Sequence, residues 1–361
     1  MDNTMITTNS SSLRDSWSEI QRTNPGIRIR EAAALLSVSE AELLATTVGE
    51  HVVRLQGPWP DLLRRFSSLG RVMSLTRNDS CILEHKGAFQ KIDIIGRARH
   101  AMATVIGPIE TRAFLSAWHV AFAATEEKNG RLLRSIQVFD QAGIAVTKIY
   151  LQERSDTRAF EAIIADFRAP HQDAPLSVIP YDDEVYDNNA ETGNLLEDWA
   201  ALKDTHDFFS MLRRHNVSRI DALQRAHGTF TAKVDPSTTP EVILRRAASE
   251  KLPIMIFAGN RGNLQIHQGK VRTIRMLERG HKGPERWLNV LDPDFNMHLK
   301  ADDVCSAWIV RKPTTDGDVT SVELFDQSGS LIAQFFGLRK PGIPEREGWR
   351  ILVNSLQTVV E

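Results

Sequence analysis

The chain has 361 residues, 42% of them apolar and 25% charged, and a formal charge of −2. That is apolar material for two ordinary cores, and no apolar run approaches the ~18 residues of a membrane-spanning helix. Near-neutral charge excludes a global attraction to nucleic acid or an anionic membrane, so an anionic ligand has to be met by local basic residues. Cys81 and Cys305 stand far apart and outside any CxxC pattern, which argues for a reducing compartment, the cytoplasm, and against zinc or a covalently attached prosthetic group.

In chain order, residues 1–12 are rich in Asn, Thr and Ser, lack the order of a signal peptide, and read as a disordered leader. Helical periodicity follows at 13–21, 29–36 and 40–46. Strand-like runs occupy 51–55, 72–75, 80–85, 118–123, 135–139 and 145–150. Lys128-Asn129-Gly130 and Asp140-Gln141-Ala142-Gly143 separate such runs as hairpin loops, which makes the strands antiparallel. Residues 13–168 form a first domain and 169–194, with Pro170, Pro175 and Pro180, a linker. The segment 195–361 opens with a predicted helix at 195–214, continues with helices at 219–226 and 241–250, and ends in strands that close at 334–336.

The second domain repeats the first. Leu62-Leu63-Arg64-Arg65 returns as Ile243-Leu244-Arg245-Arg246, Asn78…His85-Lys86-Gly87 as Asn260…His267-Gln268-Gly269, and Phe139-Asp140-Gln141-Ala142-Gly143 as Phe325-Asp326-Gln327-Ser328-Gly329. A period of roughly 180–190 residues is too long for a solenoid and marks two copies of one domain-sized fold. The expected architecture is α+β: a tandem repeat with two antiparallel sheets flanked by helices, and a ligand cleft between the halves.

Residues 31–43 have the helix, Ser-Val-Ser turn and helix of a DNA-reading helix-turn-helix, with Ser39 and Glu42 as a capping box. The segment after the turn carries Glu40, Glu42 and Glu50 and no Lys or Arg before Arg54, so it is acidic where a phosphate-facing helix is basic. It reads as a structural helix pair. No GxGxxG, Walker A, GxSxG or HExxH pattern occurs, and any reductive chemistry would draw on an external electron donor.

Trp199, Leu202, His206, Phe209 and Arg213 recur at helical spacing, which places an imidazole on an apolar, aromatic stripe. Most such histidines are core residues, but the combination also meets the needs of an axial haem ligand: a nitrogen donor for iron and flat apolar surface for the tetrapyrrole. In the first copy the predicted helix 13–21 offers only Asp15 or Ser16 roughly opposite His206.

The run Asp204-Thr205-His206-Asp207-Phe208-Phe209, followed by Leu212-Arg213-Arg214-His215-Asn216-Val217-Ser218-Arg219, resembles the haem-utilisation proteins of Gram-negative bacteria, the hemin-degrading factors of the HemS, HmuS, ShuS and PhuS group. Further motifs in the same order carry the resemblance through the chain: Arg77-Asn78, Trp287 to Asn296, Trp308 to Thr314, and Phe336 to Gly342.

The resemblance implies one non-covalent haem b per chain, with His206 as proximal iron ligand; His215, nine residues on, is near enough in sequence to be a substitute. It implies a distal face from Arg112 and Phe114, within Glu110-Thr111-Arg112-Ala113-Phe114; Thr111 and Ala113 depart from the usual family residues there. Arg219, Lys312, Gln334 and Arg339 match propionate and rim contacts, and Phe257 an aromatic rim residue. Cationic donors meet propionates with charge-assisted bonds worth about 1.5–3 kcal/mol each. The implied role is to accept imported haem from an inner-membrane importer, then pass it to a haem oxygenase or open its ring with a reductase as electron source. In the second case Arg112 is the candidate catalytic residue; the alternatives are a pure carrier or a DNA-binding protein.

Overall fold

The structure is a computed structural model that describes residues 10–96, 101–128, 130–186, 192–279, 284–339 and 342–359. The first repeat runs α1 (Ser10–Thr23), α2 (Ile29–Leu35), α3 (Glu40–Ala45), β1 (Val52–Leu55), α4 (Trp59–Arg65), β2 (Gly70–Arg77) and β3 (Cys81–Gly87). It continues with β4 (Ile92–Ile95), β5 (Met102–Val105), β6 (Thr111–Phe114), β7 (Val120–Lys128), β8 (Arg131–Phe139), β9 (Ala145–Ser155) and α5 (Thr157–Phe167). The second opens with α6 (Thr192–Ala200), α7 (Asp207–Arg214), α8 (Arg219–Arg225), β10 (Thr231–Val234), α9 (Thr239–Ser249), β11 (Ile254–Gly259) and β12 (Asn263–Gly269). It ends with β13 (Ile274–Arg279), β14 (Glu285–Leu291), β15 (Phe295–Lys300), β16 (Ser306–Lys312), β17 (Val319–Phe325), β18 (Leu331–Gly337) and α10 (Glu347–Asn354).

The strands form two nine-stranded antiparallel sheets, ordered β1-β7-β8-β9-β2-β3-β15-β14-β13 and β10-β16-β17-β18-β11-β12-β6-β5-β4. The α+β tandem fold read from the sequence is the one observed. The compact units do not coincide with the repeats, however. One unit comprises Met1–Thr76, Lys86–Asp182 and Asn260–Leu264; the other comprises Arg77–His85, Asp183–Gly259 and Gln265–Glu361. Each therefore takes a short piece of the opposite repeat.

In the first unit Leu62, Leu63 and Phe66 pack with Phe160 and Ile163 of α5 on Ile136, Val138 and Ile149. Each fully buried side chain of this size contributes ~1.5–3 kcal/mol. The opposite side chains of β8 alternate onto α3, where Ala41 and Leu44 meet Phe122 and Phe139. The predicted capping box forms: Ser39 Oγ accepts from Glu42 N at 3.2 Å and Glu42 Oε2 from Ser39 N at 2.8 Å. Glu40, Ala41, Leu43 and Leu44 are buried, and Glu40 pairs with buried Lys148, so most of α3 is committed to the core and Glu42 and Ala45 alone are partly open.

In the second unit β17 is buried along its whole length because it is covered on both faces. Val322 and Leu324 face a core with Ile243, Leu244 and Trp349, whereas Phe325 joins Trp199, Phe208, Met211 and Leu223 under α6–α8. Strand β3 pairs here with β15, Cys81 opposite Leu299 and Leu83 opposite Met297.

Two boundaries differ from the sequence reading. Helix α1 includes residues 10–12 of the expected leader, whose residues 1–9 lie outside the described residues. The single helix expected at 195–214 is two, α6 and α7, separated by residues 201–206. Asp204 and Asp207 cause the break: their carboxylates accept from the backbone N–H groups of His206 (2.8 Å) and Asp204 (3.2 Å), which competes with helical pairing. Among the described residues no helix is long and apolar enough to cross a membrane.

Candidate functional site

Because the helix breaks, Trp199 and His206 do not share a stripe. Trp199 is fully buried, edge-on to Phe208 at 4.7 Å and stacked on Phe230, with Nε1 donating to Arg311 O at 2.8 Å. His206 caps α7 with its side chain 92% exposed, and Phe209, one turn on, is 64% exposed. The surroundings of His206 are thus the reverse of those the stripe implied.

The turn that carries His206 is held at several points. Thr315 N donates to Lys203 O at 3.0 Å, and Asp207 N to Asp204 O at 3.1 Å. Asp204 Oδ1 accepts both the His206 backbone N–H at 2.8 Å and the imidazole Nδ1 at 2.5 Å. The His206 backbone bond is the main cause that holds the Asp204 carboxyl below its ordinary range; partial burial opposes it, and the imidazole bond and the Arg339 charge add to it. Among the described residues nothing bonds Nε2, so the nitrogen that faces solvent is the one with a lone pair to give. Arg339 in turn meets Asp316 at 3.5 Å.

Beneath α7 and α8 the expected anchors Arg219, Lys312 and Gln334 gather on an acid that the sequence reading missed, Glu323. Glu323 of β17 is fully buried and accepts from Arg219 Nε and Nη2 at 2.6 and 2.8 Å, and from Lys312, Gln334 and Ser321 at 2.9 Å each. Phe208 lies under both cations, 5.0 Å from Arg219 and 4.6 Å from Lys312. Phe257 pairs across β11–β18 with Gln334 and meets Phe336 edge-on at 5.0 Å.

Burial opposes ionisation of Glu323, but the Arg219 and Lys312 charges outweigh it and hold the carboxyl far below its ordinary range. Burial also lowers the Lys312 ammonium to about 8, with Glu323 acting to raise it and Arg219 to lower it. The expected anchors are thus together, but Lys312, only 4% exposed, and Arg219 are engaged by an internal carboxylate rather than poised for a propionate. One acid against two cations leaves a net positive charge there.

In the other unit Arg112 lies within β6, opposite Thr104 of β5. It is 28% exposed, 3.3 Å from Glu110 Oε1 and 3.2 Å from Thr111 O. Phe114, on the same face of the strand, is half-buried. His215, the other imidazole of the motif, is largely buried with Nε2 2.9 Å from Asp198, so it is no ready substitute for His206.

Matched positions in the two repeats locate the counterpart of His206. Ser39 and Ser218 cap equivalent helices, and Ser37 (φ 54°) and Asn216 (φ 48°) hold the left-handed turn before each cap. Counting back puts Ile27, rather than Asp15 or Ser16, opposite His206. A branched alkyl group there offers no donor to a metal.

These residues fit haem as a ligand. The second unit presents an exposed imidazole with one nitrogen held by Asp204 and the other open, an exposed phenylalanine one turn away, and a half-buried arginine, Arg339, paired with Asp316.

A family model for the haemin-degrading HemS/ChuX domain matches twice, over residues 37–167 and 216–356. The hemin transport protein HmuS of Yersinia pestis is 34% identical over 94% of this chain and 95% of its own. Holo-PhuS, a heme-binding protein from Pseudomonas aeruginosa, is 42% identical with a TM-score of 0.91, covering 98% of this chain and 100% of that one. ChuS, an E. coli heme oxygenase, is 31% identical with a TM-score of 0.85 over 96% and 99% of the two chains. This chain belongs to the haemin-degrading HemS/ChuX family.

Proposed function

We propose that this protein binds one haem b per chain and handles it in bacterial haem uptake, with His206 Nε2 as the iron ligand. The observation that carries the reading is the His206 geometry: the imidazole is exposed, its Nδ1 is held by Asp204, and its Nε2 is unengaged. The relatives support it, since PhuS is named a heme-binding protein and HmuS a hemin transport protein.

Bound haem supplies the iron and the flat tetrapyrrole, and the chain's residues hold and orient it. Phe209 gives the ring an apolar surface and Phe257 an aromatic rim. Arg339 meets a propionate, whereas Arg219, Lys312 and Gln334 give the rim positive potential through the net charge left around Glu323. Arg112 and Phe114 are the proposed distal pair, on the strength of the family resemblance, with the Arg112 guanidinium supplying the donor and Phe114 excluding water. The protein acts in the cytoplasm, takes haem from an inner-membrane importer and delivers it onward or to ring opening. ChuS is named a heme oxygenase and HmuS a transport protein, so both outcomes exist among the relatives.

Haem titration tests the reading. His206→Ala should bind haem at least tenfold more weakly and shift the Soret band; an unchanged affinity and spectrum would remove His206 as the ligand. Haem-loaded wild type incubated with reductant and catalase separates the two fates: loss of the Soret band with iron release marks degradation, and a persistent band marks a carrier.

A further inference from the structure

The geometry points to Asp204 as a positioning residue that fixes the tautomer of His206 and sets its donor strength toward iron, an inference that rests on the haem reading above. A neutral imidazole carries its proton on one of two nitrogens, and the hydrogen bond made by one nitrogen decides which is left to ligate. Here the Asp204 carboxylate, 2.5 Å from Nδ1, keeps the proton on that nitrogen and leaves the Nε2 lone pair outward.

The carboxylate is itself held. It accepts the His206 backbone N–H at 2.8 Å, so one oxygen fixes both the main chain and the ring of the same residue. Asp207 Oδ2 anchors the Asp204 N–H at 3.2 Å, and Lys203 O receives Thr315 N from the loop after β16 at 3.0 Å. The Arg339 charge adds, as the smallest contribution, to the forces that keep Asp204 ionised, and Arg339 is itself met by Asp316 at 3.5 Å. An anionic acceptor on Nδ1–H makes the ring a stronger donor, which favours ferric over ferrous iron, and loss of such a partner typically weakens metal binding 10–100-fold.

Two variants separate geometry from charge. Asp204→Asn keeps an oxygen at the position of Oδ1 and removes the charge; Asp204→Ala removes both. In the haem-free protein at pH 8.5, the ¹⁵N shifts of the His206 ring should report the Nδ1–H tautomer in wild type and a predominantly Nε2–H ring in Asp204→Ala. In the haem-loaded protein, Asp204→Asn should retain its axial spectrum but lose about tenfold of its preference for ferric over ferrous iron, a potential rise of about 59 mV for one electron. Asp204→Ala should bind haem 10–100-fold more weakly.

An Nε2–H tautomer in wild type, or wild-type potential and affinity in both variants, would overturn the role of Asp204. His206→Ala is the control: if it abolishes the axial spectrum while both Asp204 variants behave as wild type, Asp204 alone is misassigned. If His206→Ala keeps that spectrum, the haem-ligand reading fails first, and this inference with it.

Discussion

At the scale of single residues, the two cations that the resemblance paired as anchors have different physical roles. Lys312 is buried against Glu323, so its removal leaves the carboxylate short of a partner; Lys312→Ala should lose about 3 kcal/mol of stability in a denaturant titration. Arg339 lies in a looser pair, 3.5 Å from Asp316, and Arg339→Ala should change stability by less than about 1 kcal/mol. Its haem should pass faster to an excess of acceptor protein, a gain that disappears with haem dimethyl ester, which has no propionate charge. Equal stability in the two variants would contradict the division.

Legibility at this scale followed the chemistry. His206 stood out because it lies at helical spacing from Trp199 and Phe209 and within the Asp204-Thr205-His206 motif, although the helix break takes it off the Trp199 stripe. Glu323 did not, yet a signal was present: Val319 to Phe325 is a strand-like run whose single charge is Glu323. A lone acid in a doubly covered strand has to find cations, and Arg219 and Lys312 are the ones it finds. Asp204 was visible as part of a motif but not as the holder of the imidazole, because an Asp two residues before a His also reads as an ordinary turn former.

At the scale of elements, both repeats seat a hairpin turn against a helix N-terminus, and glycine makes the approach possible. Ala41 N donates to Gly143 O at 3.2 Å, and a Cβ on Gly143 would lie 2.2 Å from Ser39 Oγ, with φ at +72°. Gly329 stands in the same relation to Ile220, at 2.8 Å and φ +79°. Gly143→Ala should therefore cost at least ~1 kcal/mol, from the positive φ and from displacement of the Ser39 cap. A denaturant midpoint equal to wild type would show that the turn relaxes freely.

The turn chemistry was legible in Asp140-Gln141-Ala142-Gly143 because it is local. The break at 201–206 was missed for the opposite reason: apolar spacing continues through it, and only the backbone bonds of Asp204 and Asp207 interrupt the helix.

At the scale of the molecule, the repeats keep their frame and invert a buried charge pair. Arg219 at the start of α8 corresponds to Glu40 at the start of α3, and Glu323 and Gln334 to Gln137 and Lys148 at the same register. The first unit thus buries Glu40 against Lys148, and the second Arg219 against Glu323. Equivalent histidines of β3 and β12 come together in the second unit: His85 and His267 stack at 5.6 Å, with Phe295 3.7 Å from His267.

Burial lowers the His85 imidazole to about 3, with repulsion from His267 adding to it, and burial lowers His267 to about 4. Both are neutral in the folded state, whereas unfolded histidine takes up a proton near pH 6.5. Between 6.5 and 4 the unfolded chain binds more protons, so stability is fully present above pH 6.5 and falls as the pH falls. The loss should reach ~2 kcal/mol per histidine at pH 5. Denaturant midpoints at pH 7 and pH 5 should show this slope in wild type and a shallower one when both residues are glutamine. An equal slope would place the acid sensitivity elsewhere.

The repeat itself announced two copies, but not that the compact units exchange strands, since pairing between β3 and β15 leaves no local mark on either sequence. That exchange orders events on the ribosome. Cys81 to His85 emerge about 210 residues before Phe295 to Leu299, so at 5–20 residues per second β3 waits roughly 10–40 s for its partner. During synthesis the nascent first repeat therefore carries an open strand edge, a template for pairing with the wrong chain until about four-fifths of the protein has been made.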